Sequence, residues 1–311
     1  MKRFLLLAAL AALPAAAQIK VGIIGLDTSH VAAFTKILND PKNPDHVPGA
    51  KVVAAYPGGS PDIASSRDRL EGYTKQLHDD WGVEIVPDID TLLKKVDVVL
   101  LESVDGRKHL EQVKPVFAAG KPVFIDKPLA STYEDALEIA RLGKKHNTPW
   151  WSASSLRYSK AVQDVKVEGL TGAISWGPAT FEKTHQLDLS WYGIHPVELL
   201  YSVMGPGCKR VQRTSHEGWD VIVGEWADGR LGTVRTIREG KKDYGVVAFG
   251  EKEIKVSTDA GGAYGPLLGN VVEFFKTGKP PVDNAVTLEI FSFMDAAQRS
   301  KQKGGARIEM R

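Results

Sequence analysis

Two short stretches hold most of the side chains with chemistry to offer. Asp126-Lys127-Pro128 follows the apolar run Pro122 to Ile125, so it stands at the carboxyl end of a strand, where open α/β sheets bind ligands. An ammonium there can hydrogen-bond a carbonyl or an alcohol and assist its proton movement. A solvated lysine in a tight turn is the plain alternative. Gly193-Ile194-His195-Pro196-Val197-Glu198 puts His195 and Glu198 three residues apart, on one face of a helix start. Histidine passes protons near neutral pH, and a neighbouring carboxylate can orient it or hold hydroxyls. A histidine that only caps or packs its helix is the competing reading. His185, His195 and Glu198 together are metal-type donors, but they lack the tight two-histidine spacing of a metal helix.

A third stretch carries a fold signal. Ile19 to Gly25 reads as a buried strand ending on glycine, and Val31, Phe34, Ile37 and Leu38 recur at helical spacing after it. Strand, glycine turn and helix begin a dinucleotide-binding βαβ unit, whose fingerprint is Gly-x-Gly-x-x-Gly. Here Gly25 fills the first position, Asp27 the second and His30 the third. Asp27 brings a negative charge where backbone normally approaches a diphosphate. Two unit charges ~4 Å apart at an effective dielectric of ~20 repel by about 4 kcal/mol, or about three decades of affinity. His30, or the Thr28 and Ser29 hydroxyls at the helix N-terminus, offers donors that relieve it. The second strand, Lys51 to Tyr56, ends on Tyr56 where a ribose-binding acid is normal.

The elements that must position these residues alternate strand and helix. Helices are expected over Asp62 to Asp80, Ile89 to Lys95, His109 to Ala119 and Thr132 to His146, with a strand at Val96 to Leu101 apolar enough to be buried on both faces. The pattern predicts an α/β chain with a parallel, doubly wound sheet over residues 18–148. From 149 to 311 the character changes to an α+β domain with a largely antiparallel open sheet. There Thr180 to Gln186 reads as a strand and His195 to Met204 as a helix. Val221 to Trp226 and Leu231 to Ile237 flank an Asp-Gly hairpin turn, and Tyr244 to Gly250 and Glu253 to Thr258 continue the meander. Helices Leu267 to Phe275 and Asn284 to Ser300 close the chain and are placed to pack back on the first domain.

With 311 residues, 43% of them hydrophobic, the chain is long enough for two cores. A net charge of +2 and the lack of a basic run interleaved with aromatics argue against nucleic acid. Met1-Lys2-Arg3, the apolar run Phe4 to Leu13 and Ala15-Ala16-Ala17 form a cleavable signal peptide over residues 1–17, so export to the periplasm or medium is expected, with no membrane attachment after cleavage. The lone Cys208 excludes an intramolecular disulfide. Trp150, Trp151, Trp176, Trp191, Tyr192 and Tyr158 cluster near the second domain's start, as sugar-stacking faces or as core.

Taken together, the opening strand and turn, His109 ahead of Ala118-Ala119-Gly120-Lys121-Pro122-Val123-Phe124-Ile125-Asp126-Lys127-Pro128, and Gly193-x-His195-x-x-Glu198 resemble the Gfo/Idh/MocA oxidoreductases. The closing segments Phe274 to Pro281 and Ala296 to Ser300 resemble that family as well. The resemblance covers about the whole mature chain. It implies NAD or NADP as cofactor, a sugar or polyol as small-molecule substrate, and a homo-oligomer through the C-terminal sheet. It places Lys127 beside nicotinamide and substrate, makes His195 the general acid or base, and puts Glu198, Arg157, Tyr158 and His185 on the substrate side. Gly25, Asp27, Thr28, Ser29, His30, Glu102, Ser103, His109 and Asp126 fall on the cofactor side. Two other functions stay open: a glycosidase or lyase using the same pocket with transient or no NAD, and a non-catalytic carbohydrate-binding protein.

Overall fold

The computed structural model describes residues 18–261 and 264–311; residues 1–17, expected from the sequence to be a signal peptide, lie outside them. The first domain runs β1 (Ile19–Ile24), α1 (Ser29–Asn39), β2 (Ala50–Tyr56), α2 (Ala64–Trp81), β3 (Glu84–Ile85) and α3 (Ile89–Leu93). It continues with β4 (Val98–Leu101), α4 (Gly106–Ala118), β5 (Val123–Ile125), α5 (Tyr133–Lys145) and β6 (Trp150–Trp151). All six strands pair in parallel in the order β3-β2-β1-β4-β5-β6. The order reverses at β1 and β4, and ligand crevices of such sheets form at that switch point. All four residues of β4 are buried, as its unbroken apolar run requires. Side-chain caps start the helices: Asp88, Asp105 and Thr132 accept from the backbone N–H of Thr91, Arg107 and Asp135. Trp150–Trp151 pairs with β5, so the first sheet reaches just past residue 148.

The second domain contains α6 (Lys160–Asp164), β7 (Gly172–Pro178), α7 (Ile194–Met204), β8 (Cys208–His216), β9 (Trp219–Trp226) and β10 (Leu231–Ile237). It ends with β11 (Gly245–Phe249), β12 (Ile254–Ser257), α8 (Tyr264–Thr277), α9 (Asn284–Gln302) and β13 (Ile308–Glu309). Its seven strands run β12-β11-β7-β10-β9-β8-β13, antiparallel except for the β7–β10 pair. Alternate residues of β9 are buried, the signature of a sheet with one covered face. α7 and α9 supply that cover. α8 packs back on α1, where Leu267 and Val271 share a core with Val31 and Phe34, and α9 packs on α5.

The strand expected at Thr180 to Gln186 does not form; that segment is turn and irregular chain. The strand lies just before it, at Gly172–Pro178, where glycines at 172 and 177 blur the alternation. β8 was also hidden, because its outward positions are the polar Lys209, Arg210, Gln212 and Thr214. Among the described residues no helix is long and apolar enough to cross a membrane.

Candidate active site

A cavity of about 400 Å³ opens over the carboxyl ends of the parallel strands. The first turn of α1 contributes Thr28, Ser29 and His30, α2 contributes Ser65 and Arg69, and the end of β5 contributes Lys127. The second domain supplies Trp191, Tyr192, His195, Tyr244 and, from α8, Tyr264. The two domains thus bring Lys127 and His195, 68 positions apart in the sequence, to one wall (195 − 127).

His195 is fixed on three sides. Its Nδ1 lies 2.8 Å from the Ser154 hydroxyl, and Tyr192 and Tyr244 meet its ring edge-on at 5.9 and 5.7 Å. Burial holds its imidazole well below the ordinary value, and the positive Lys127 and His30 add to that against a smaller opposing pull from Asp126. The ring is therefore neutral at neutral pH, with a nitrogen lone pair free to accept a proton. Lys127 extends under Tyr192, its Nζ 5.7 Å from the ring centre.

Glu198, Arg157 and Tyr158 stand behind that wall rather than on it, against the expectation that they meet substrate. Glu198 is 4% exposed, accepts from the Ser154 N–H at 2.8 Å and pairs with Arg157 Nε at 2.9 Å. Burial nevertheless raises its carboxyl above the ordinary range, with Arg157 opposing. Because Ser154 touches both Glu198 and His195, the pair braces the segment that orients the histidine. Tyr158 lies edge-on to Trp151 at 6.2 Å, in the core under α8. His185 does not reach the cavity either. Its ring tilts against Trp191 at 5.0 Å, its Nε2 lies 3.5 Å from Asp105, and burial lowers its basicity.

On the cofactor side, Thr28, Ser29 and His30 face the cavity, and Gly25, Asp27, Ser103 and His109 do not. Gly25 has φ +88, and a Cβ there would fall 2.5 Å from the Ser103 backbone, so glycine is required for the turn to lie on the β4–α4 loop. Asp27 is corrected as an obstacle to phosphate. It is fully buried and turned inward, accepting from the Ser66 hydroxyl at 2.6 Å and the Val104 N–H at 2.9 Å. Beside it Ser60 donates to Asp105 at 2.6 Å, closing a polar seam between the β2–α2 loop and the β4–α4 loop. Ser103 donates to Gln112, and both ring nitrogens of His109 face carbonyl oxygens, of Ser103 at 2.7 Å and Leu129 at 3.3 Å. These residues join loops. Tyr56 does end β2 and lines a second cavity, of about 320 Å³, with Gly58, Gly59, Lys108 and Gln112.

Glu102 and Asp126, the last two cofactor-side candidates, do not line the cavity; they are buried at the ends of β4 and β5, behind His30. His30 Nδ1 is 2.6 Å from Asp126 and 3.9 Å from Glu102. Burial would raise the Asp126 carboxyl, but the charge and hydrogen bond of His30, with Lys127, hold it below its ordinary range. Glu102 has no such donor: burial, then Asp126, push it well up, with Lys127 opposing.

Sequence reading missed Ser65, Arg69, Ser154, Tyr244 and Tyr264. Arg69 sits in a polar helix full of charges, and the tyrosines lie at the edges of elements distant in sequence, so no local pattern marks them. Ser154 had one cue, four serines between 152 and 159 in a short non-repetitive stretch.

The architecture is a parallel Rossmann-type sheet roofed by an open mixed sheet, with the cavity between them. Residues 19–153 match the family model described as oxidoreductase family, NAD-binding Rossmann fold. Over this first domain the chain is similar to the Gfo/Idh/MocA oxidoreductases. An 83-residue stretch is 40% identical to inositol 2-dehydrogenase of Pseudomonas syringae pv. syringae, covering 26% of this chain and only a quarter (25%) of that relative. The fold is shared with myo-inositol dehydrogenase from Lactobacillus casei, solved with NAD(H) and myo-inositol, at TM-score 0.75 and 16% identity over 95% of this chain and 97% of that one. GenD2 from gentamicin A biosynthesis, solved with NAD, matches at TM-score 0.73 and 15% identity over 97% and 100% of the two chains.

Proposed function

We propose that the chain is an exported NAD-dependent oxidoreductase acting on a sugar or polyol, with His195 as the proton acceptor or donor and Lys127 assisting at the same hydroxyl. The observation that carries this reading is the convergence of a neutral, oriented histidine and a lysine on one cavity at the sheet's switch point. The family-model match over the first domain and the NAD and inositol complexes of the structural relatives support the cofactor and the substrate class.

The donor set fits a dinucleotide at one end. Thr28 and Ser29 at the α1 N-terminus, with Ser65 and Arg69 from α2, would hold a diphosphate, and Asp27 is tied inward to Ser66 and Val104. Bound NAD supplies the hydride acceptor for an alcohol carbon. The chain's own part is proton handling and orientation. In the tautomer whose Nδ1–H donates to the Ser154 hydroxyl, Nε2 of His195 is unprotonated and can take the hydroxyl proton. The Lys127 ammonium donates to the same oxygen and favours its negative charge. Trp191, Tyr192 and Tyr244 offer apolar faces to a sugar ring. The Arg157–Glu198 pair keeps Ser154, and with it His195, in place.

The test is thermal melting of the purified chain with NAD, NADH and their 2′-phosphates. At least one nucleotide should raise the melting temperature, and Arg69→Ala should weaken that nucleotide about tenfold, the worth of one charge-assisted hydrogen bond. A flat response to all four at millimolar concentration would remove the dehydrogenase reading. Export is checked separately, by cleavage after residue 17 in a fractionated host.

A further inference from the structure

Behind the cavity wall lies a group whose surroundings are incomplete. Glu102, at the end of β4, is 0% exposed, and neither carboxylate oxygen has a hydrogen-bond partner. Asp126, from the neighbouring β5, and His30, from the first turn of α1, complete a cluster of donor atoms all within 4.8 Å of one another. Lys127 is adjacent in sequence but makes no ion pair with either carboxylate among the described residues; its ammonium lies under Tyr192. A buried carboxylate without a donor costs free energy that a folded chain ordinarily avoids. The same sheet does avoid it one strand away, where Asp27 receives two hydrogen bonds. At Glu102 the neighbours are instead another carboxylate and the His30 imidazole, whose Nδ1 becomes a ligand for a cation once it gives up the proton it shares with Asp126.

We propose that His30, Glu102 and Asp126 bind one divalent transition-metal ion of the zinc–manganese class. One nitrogen and two carboxylate oxygens suit zinc or manganese, whereas magnesium and calcium favour oxygen ligands throughout. Two donors each ~2.1 Å from a common ion stand about 3.0–3.4 Å apart at ordinary ligand angles, so the observed 2.6 Å and 3.9 Å require shifts of under about 1 Å. Of the three ligands His30 lines the cavity, beside Thr28 and Ser29, while Glu102 and Asp126 are buried behind it. An ion there would neutralise the two buried carboxylates directly behind the wall that bears His30 and Lys127. The site is built by this chain alone, so it does not depend on nucleotide binding.

The experiment uses the full exported chain, stripped with a chelator and dialysed against micromolar Zn²⁺ or, separately, Mn²⁺, without nucleotide. Bound metal is counted by mass spectrometry and the melting temperature is recorded. The expected result is one ion per chain and a higher melting temperature, with Glu102→Gln and Asp126→Asn each weakening uptake tenfold or more. In chelator, Glu102→Gln should melt no lower than the parent, since it keeps the shape and removes the buried charge. His30→Gln, at the cavity edge, is the companion variant: the visible bands of the Co²⁺-loaded parent should be lost in it. No ion retained by the parent, or uptake unchanged by Glu102→Gln and His30→Gln, overturns the proposal.

Discussion

Asp27 and Glu102 leave neighbouring strands of one sheet, and both side chains are shut off from water, yet their accounts differ. Asp27 receives a serine hydroxyl and a backbone N–H and ties two loops together. Glu102 receives nothing and faces His30 and Asp126. The difference separates two regions of the crevice. The seam around Asp27, Ser60, Ser66 and Asp105 is satisfied internally and keeps the switch point closed. The face bearing His30, Glu102, Lys127 and His195 keeps its polar capacity for something bound. A buried acid with partners belongs to the fold, and one without them points to a site.

If that division is right, substitutions on the two sides should cost different things. On the working face, His195→Ala should lower kcat by about 10²–10⁴-fold, the usual range for losing a positioned acid or base, with melting temperature nearly unchanged. Steady-state kinetics of polyol oxidation reads the first and calorimetry the second. In the seam the pattern reverses. Asp27→Ala strands the Val104 N–H and the Ser66 hydroxyl and should cost about 2–4 kcal/mol in denaturant unfolding. Asp27→Gly should lose the same tie without gaining nucleotide affinity. A gain in NAD binding by Asp27→Gly would show that the charge, not the tie, is what matters at this position.

Smaller effects sharpen the picture. Ser154→Ala removes the partner of Nδ1 and should reduce kcat about tenfold while leaving KM close to its value, because the histidine stays but loses its fixed orientation. The pH profile carries a sign. His195 in the folded chain is held below its ordinary 6.5, first by burial and then by Lys127. Its base form therefore persists as pH falls through 6.5, and the acid limb of kcat lies lower. The unfolded chain protonates first, so this group's contribution to stability is full above 6.5 and is lost as pH falls from there toward the folded value. In an imidazole NMR titration, Lys127→Met should move His195 upward. No movement would mean that burial acts alone.

Much of this was legible in the sequence, for physical reasons that differ by region. The parallel sheet announced itself because β1, β4 and β5 are buried on both faces and read as apolar runs. Lys127 and His195 were legible because each follows a local landmark, a strand end or a Gly-x-His helix start. Asp27 was visible as an anomaly, but its meaning was not. Only the fold brings Ser66 and Val104, 39 and 77 residues away, to its oxygens. The same limit hid Arg69, Tyr244 and Tyr264 from the cavity wall and put Glu198 and Arg157 at the substrate, when their charges in fact neutralise each other behind Ser154. Local pattern marks residue types with chemistry; long-range pairing decides which of them are already engaged.

The most direct measurement is the appearance of reduced nicotinamide when the purified chain is incubated with NAD and a panel of polyols and sugars, myo-inositol among them. The account predicts substrate-dependent reduction that is abolished by His195→Ala and by Lys127→Ala while both variants still take up NAD. No reduction with any of the panel, together with no nucleotide-dependent rise in melting temperature, would contradict it.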